Sequence, residues 1–209
     1  INSQKSKVNN SNLNYTGQIN LDPFYFNFDS EIEKLSLKKI YKKIIIVEQL
    51  IKNFFFGNDS LNGDIKIKIN NFENNRFLKD GNFNLEFKNK KFNIDGTKII
   101  VSKDIGLFEI KNSNINLKQN EVLFNCQVDF EIINQSNFYK TFLIPKNKRI
   151  DLSNLSFYVN YNVTTNEMFI SDPRINDSEK TILFTKSANI NKWVHLKNYI
   201  NQIFSVYDG

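Results

Sequence analysis

The chain has 209 residues, of which 40% are hydrophobic and 24% charged, with a formal net charge of +6. Its single cysteine, Cys126, excludes an internal disulfide, and no apolar run approaches the roughly 20 residues that span a bilayer. A chain of this length buries about 70% of its unfolded surface, which is enough for one large domain or two small ones.

Asparagine is the outlier, with 35 copies. Together with abundant Lys, Ile and Phe it is the signature of AT-rich codon usage, which weakens any functional argument from the positive balance. The cations are scattered and often alternate with apolar residues, as in Ile65-Lys66-Ile67-Lys68-Ile69. That is the pattern of a solvated strand face rather than the clustered basic face of a nucleic-acid binder, with mild attraction to anionic lipid head groups as the second reading. The first residue is Ile1, so the chain is expected to be a fragment or a processed chain, and an upstream signal or anchor stays open.

Residues 1–12 are polar and read as a linker or a frayed edge, leaving 13–209 as a single β-rich domain. Leu13, Tyr15, Ile19 and Leu21, then Phe24, Phe26 and Phe28, fall at even spacings, the strand period. Pro23 between them predicts a bend or an edge position. The period lengthens after Lys38: Ile40, Ile44, Val47, Ile51 and Phe54 recur every three or four residues, predicting an amphipathic helix over about 38–56 ended by Gly57. Such a stripe packs on a sheet or lies on a membrane surface.

From Leu61 to Val163 the pattern predicts strand after strand. Ile65, Ile67 and Ile69 alternate, as do Phe83, Leu85 and Phe87, then Phe92 and Ile94. Turns are expected at Asp80-Gly81, Asn89-Lys90 and Asp104-Ile105-Gly106. The clearest strand places Val122, Phe124, Cys126, Val128, Phe130 and Ile132 on one face, against Glu121, Asn125, Gln127, Asp129 and Glu131 on the other, with Leu123 and Ile133 as exceptions. Leu155, Phe157, Val159, Tyr161 and Val163 repeat the pattern. One dry face and one wet face is the antiparallel signature, and short connections predict a meander without βαβ units. Residues Ser171–Lys180 read as a polar loop. A second amphipathic helix, over about 191–207, carries Trp193, Leu196, Ile200, Ile203, Phe204 and Tyr207. The expected fold is therefore mostly β: a long, curved antiparallel meander with two amphipathic helices.

The chemistry of catalysis is missing from the sequence. His195 is the lone histidine and has no Cys, His or acidic partner at ligand spacing, so neither a metal site nor a general base is expected. Cys126 sits among Phe124, Val128 and Phe130, where a thiol behaves as a small hydrophobe. No G-x-S-x-G, G-x-x-x-x-G-K-[ST], G-x-G-x-x-G or H-E-x-x-H motif occurs. Neither an enzyme nor a cofactor is expected.

The least generic stretch is Phe138-Tyr139-Lys140-Thr141-Phe142-Leu143-Ile144-Pro145-Lys146-Asn147-Lys148-Arg149, between one long strand and the next. With the closing segment from Trp193 through Asn201 and Phe204 to Tyr207-Asp208-Gly209, and the passage around Leu35 to Ile69, it resembles the C-terminal region of AsmA-like envelope proteins of Gram-negative bacteria. Asn134 departs from the pattern, standing where an acidic residue is expected, and glycines are sparse. The resemblance implies a periplasmic module of a protein anchored in the inner membrane by an upstream segment. It also implies kinship with bridge-like lipid-transfer proteins, whose curved sheets present an apolar concave face to phospholipid, and a part in outer-membrane lipid homeostasis.

On that reading Val122, Phe124, Val128, Phe130, Ile132, Phe157, Val159 and Tyr161 face lipid. Alternation fits a closed core equally well. The competing function is a structural β domain that binds protein through its strand edges. Nucleic acid is not an expected partner, because the aromatics fall on apolar strand faces and not beside clustered cations.

Overall fold

The computed structural model describes residues 1–8, 11–41, 48–49, 51–55, 61–89, 91–176, 188–189 and 193–206. Twelve strands form one mixed, mostly antiparallel sheet. In chain order they are β1 (Asn2–Val8), β2 (Ser11–Leu21), β3 (Phe24–Ile32), β4 (Gly63–Ile69), β5 (Leu78–Lys88), β6 (Lys91–Asn93), β7 (Lys98–Val101), β8 (Gly106–Lys118), β9 (Glu121–Ile132), β10 (Asn154–Asn162), β11 (Glu167–Ile175) and β12 (Ala188–Asn189). Among the described residues three α-helices accompany them: α1 (Leu37–Tyr41), α2 (Gln135–Phe142) and α3 (Trp193–Val206).

Spatial order follows chain order, as expected of a meander. Strands β6 and β7 share one position between β5 and β8, interrupted at Asp95-Gly96. The β2–β3, β5–β6, β8–β9 and β10–β11 connections lie at one end of the sheet, hereafter the hairpin end. The other end carries α2 and is the helix end.

Four details depart from the sequence expectations. Strand β4 pairs parallel to β3, so the connection between them must run the length of the sheet. Asp80 and Gly81 are not a turn but lie inside β5, beside a register shift against β7. Ser171–Ile175 is not loop but the second half of β11, where a bulge opposite Phe157 absorbs Asp172 and Pro173. A bulge accommodates proline because one residue there is excused from the ladder. Finally, the polar start of the chain forms β1, the outer strand beside β2, with Asn2 opposite Thr16 and Lys7 opposite Asn12.

Other expectations hold. The β5–β6 hairpin, with Lys88 opposite Lys91, turns at Asn89, which is in the left-handed region (φ 50°); Lys90 lies outside the described residues. Asp104 and Ile105 link a single 3-10 turn (Ser102–Asp104) to β8. Pro23 sits in the two-residue β2–β3 turn, after a cis peptide bond. Gly106 is required where β8 begins: a Cβ there would stand 2.0 Å from the Glu131 carbonyl oxygen of β9.

The helix expected over 38–56 is seen in part, as α1, a helical turn at Glu48-Gln49 and a π-helical turn at Ile51–Phe55. Ile44, Val47 and Gly57 lie outside the described residues. The closing helix is α3, with Tyr199, Ile200, Ile203 and Phe204 buried; Tyr207 lies outside the described residues.

Candidate functional site

Period-two alternation puts one apolar row of every strand on the same face, and the register shows how far that face extends. On β9 and β10, Phe130 stands opposite Leu155, Val128 opposite Phe157, Cys126 opposite Val159 and Phe124 opposite Tyr161. The face continues through Phe108 and Ile115 on β8 and through Phe87 and Leu85 on β5. It then reaches Ile65 on β4, Phe26 and Phe28 on β3, and Ile19 and Leu21 on β2. A single apolar surface thus crosses the sheet from β11 to β2.

Its cover is uneven. At the helix end of β8–β11, α2 and α3 lie on it. Phe138, Phe142, Ile200, Ile203 and Phe204 form one buried cluster with Phe130, Ile132, Leu155, Phe157, Val159 and Ile170. The Phe130 ring lies 4.1 Å from Phe108, 5.6 Å from Phe138 and 6.2 Å from Phe142 between centroids. Towards the hairpin end a second cluster joins Phe26, Phe87, Phe92, Ile115, Val122 and Val163 under Ile51 and Leu61. Phe124 and Tyr161 are half-buried and border both clusters.

The Ile51 turn is fastened where it crosses. Thr164 donates to the Glu48 carboxylate at 2.8 Å and Lys52 pairs with Glu48 at 2.7 Å. These contacts hold the Glu48 carboxyl below the ordinary carboxylate range, with the Lys52 hydrogen bond as the largest cause.

At the β2–β3 hairpin the face opens. Leu21 is 81% exposed, Ile19 42% and Phe24 36%. The opening is continuous with the interior through a file of rings: Phe24 to Phe26 at 6.3 Å, Phe26 to Phe87 at 5.8 Å, and Phe87 stacked on Phe92 at 4.4 Å.

Of the sequence candidates, Val122, Phe130, Ile132, Phe157 and Val159 are thus buried, while Phe124, Val128 and Tyr161 are half-buried. All eight share the face. Alternation carries the shared face but no information on its roof. The open residues Ile19, Leu21 and Phe24 were legible as strand positions, and the only signal of their exposure was the Asp22-Pro23 turn between two apolar neighbours.

The opposite face carries the charge. Lys111 bridges Asp129 at 2.7 Å and Glu109 at 3.6 Å, and Lys68 pairs with Glu31 at 3.1 Å. These cross-strand pairs place the scattered lysines on a solvated face, where each pair contributes little net stability. Cys126 is buried and its thiol is pushed up to about 12, chiefly by desolvation, the opposite of the activation a nucleophile needs. The described residues hold no cluster of three or more His, Cys, Asp or Glu suited to a metal ion. Among them, no helix is long and apolar enough to cross a membrane.

In the segment singled out at Phe138–Arg149, Phe138, Tyr139, Phe142 and Ile144 are built into the core, while Lys140, Leu143, Pro145, Lys146, Asn147 and Arg149 are exposed. Asn134 caps α2 by accepting from the Asn137 amide at 3.0 Å, and Leu143 ends the helix in the left-handed region. The Tyr139 hydroxyl donates to the Ile150 carbonyl. Arg149 lies 5.3 Å from the centre of the Tyr139 ring and donates to the Ile144 carbonyl at 3.2 Å. Comparison with known proteins finds no matching family model, curated protein or solved structure.

Proposed function

We propose that this chain is a non-enzymatic module of a bacterial envelope protein that holds the acyl chains of phospholipid on the open part of its apolar sheet face. The observation that carries the reading is the unbroken apolar row leading from the roofed strands to the exposed Ile19, Leu21 and Phe24. Acyl chains need such a surface: it is non-directional, and its driving force scales with the apolar area withdrawn from water, at about 25 cal/mol per Å². Through Phe24 the open part is continuous with the buried ring file Phe26–Phe87–Phe92, so chains seated on it rest against a packed apolar core. The likeness of residues 138–149 and of the closing helix to AsmA-like proteins supplies the setting: periplasm, inner-membrane anchorage of the full-length protein, and lipid transport to or upkeep of the outer membrane.

Native mass spectrometry with lipid extraction on the purified chain tests this. Phospholipid at a defined stoichiometry is expected, lost in the double variant Leu21→Asp, Phe24→Asp while far-ultraviolet circular dichroism stays unchanged. A lipid-free wild-type chain would end the reading.

A second reading is favoured by a specific feature, the roof of α2 and α3 over β8–β11. A closed core there suits a scaffold that binds protein through an outer strand such as β1. Recovery of a stoichiometric protein partner from a lipid-free chain would select it.

A further inference from the structure

At the helix end, away from the open apolar hairpin, four separate segments enclose a depression of about 680 Å³. The β4–β5 connection contributes Arg76, the turn before β8 contributes Ser102, α2 contributes Lys140 and Thr141, and α3 contributes Lys197. Phe77 and Ile105 supply an apolar wall. Three cations thus converge on one cavity from three elements far apart in sequence, and no carboxylate is among its described lining residues. Arg76 and Lys140 gathered this way repel one another unless an anion or solvent compensates them. Arg76 and Lys140 make no ion pair among the described residues, in contrast to Lys52, Lys68 and Lys111.

The walls are fixed in place. Asn75 accepts from the amides of Phe77 and Leu78, each at 2.9 Å, and the Ser102 amide donates to the Phe77 carbonyl at 2.6 Å. The Ser102 hydroxyl donates to the carbonyl of Arg76 itself. Phe77 anchors the connection against Phe142 of α2 at 5.9 Å and Phe108 of β8 at 6.1 Å. The backbone carrying Arg76 is thereby tied to the helix carrying Lys140. A cavity of this size falls within the range of small-molecule sites, and a guanidinium beside ammonium groups is the donor set that recognises phosphate oxygens.

We propose that this depression is a phosphate-binding site, formed by Arg76, Lys140 and Lys197, that takes a phosphomonoester or phosphodiester carrying a small apolar or glycerol substituent against Phe77 and Ile105. The site does not depend on the lipid reading of the hairpin end: the two lie at opposite ends of the sheet and fail independently.

Isothermal titration of the full chain with sn-glycerol 3-phosphate, and flotation with phosphatidylglycerol against phosphatidylcholine vesicles, test it on the wild type. The same measurements are made on Arg76→Gln/Lys140→Gln and on a charge-matched control, Lys66→Gln/Lys88→Gln, from exposed strand positions. Binding weakened about tenfold or more in the first variant, and unchanged in the control, is expected from the loss of two charge-assisted contacts. Binding of the soluble ester identifies a free phosphate compound as the source. Flotation with phosphatidylglycerol alone identifies a lipid head group, and either result supports the site. Equal weakening in both variants would reduce the effect to net charge and overturn the proposal, as would a wild type that binds neither probe. Retention of co-purified phospholipid in Arg76→Gln/Lys140→Gln would leave the hairpin-end reading standing whatever happens to the phosphate site.

Discussion

Strands β8–β11 and strands β2–β3 carry the same alternation of apolar and polar residues, yet the first set is roofed at its helix end and the second opens at its hairpin. In the first, Phe130 is fully buried among Phe108, Phe138 and Phe142. In the second, Leu21 occupies an equivalent inward position and is 81% exposed. The difference does not lie in the strands. It lies in what the chain lays over them: α2, α3 and the Ile51 turn reach β8–β11, and Leu21 and Phe24 project beyond that cover. Period-two patterning reports which face is apolar, and the connections between strands decide whether that face becomes core or surface.

The contrast is sharpest in truncation. Phe130→Ala is expected to cost about 3–5 kcal/mol, because the cavity it leaves is walled by rings on two sides and cannot collapse. Leu21→Ala should fall within about 0.5 kcal/mol of wild type. Guanidinium unfolding of both variants measures the gap, and equal losses would mean that β2–β3 is roofed after all. Gly106→Ala comes next. A methyl group 2.0 Å from the Glu131 carbonyl forces β8 and β9 apart at the helix end, at about 1–3 kcal/mol, and a midpoint like that of wild type would contradict the close packing of those strands.

The smallest effect concerns the clip that holds the Ile51 turn. The Glu48 carboxyl titrates below its ordinary value because Lys52 and Thr164 hydrogen-bond to its charged form. Its contribution is therefore present above the ordinary carboxylate range and lost as pH falls through the lowered folded value. The group is partly solvated, so Glu48→Gln should cost no more than about 1 kcal/mol near neutral pH, and the difference from wild type should shrink in acid. A difference that grew as pH fell would reverse the sign of this argument.

Most of the fold was legible because β8–β10 largely obey one rule, a dry row against a wet one, with Leu107, Leu123 and Tyr158 as exceptions on the wet side. Elements were missed where local chemistry masks that rule. Strand β1 has almost no apolar residues, since as the outer strand it needs only backbone pairing with β2. The end of β11 is disguised by Asp172 and Pro173, which the bulge absorbs. Gly81 resembles a turn residue but is buried in β5, where a Cβ would meet the Lys98 carbonyl at 3.2 Å. The parallel pairing of β3 and β4 has no local signal at all, because it is set by where the crossover runs.

The apolar face was legible as a set of residues, and its division into roofed and open parts was not. Burial at β9–β10 depends on α2 and α3, which approach from other stretches of the chain. The cations of the helix-end depression were invisible for the same reason: Arg76, Lys140 and Lys197 belong to segments that only the fold brings together.

The central claim is that one apolar face is closed at β9 and open at the β2–β3 hairpin. The most direct test replaces Leu21 and, separately, Phe124 and Phe130 with a photo-crosslinking amino acid, followed by irradiation in cells and mass analysis of the adducts. Lipid adducts at position 21, few at 124 and none at 130 are the predicted result. Adducts at 130 equal to those at 21, or none at any position, would contradict it.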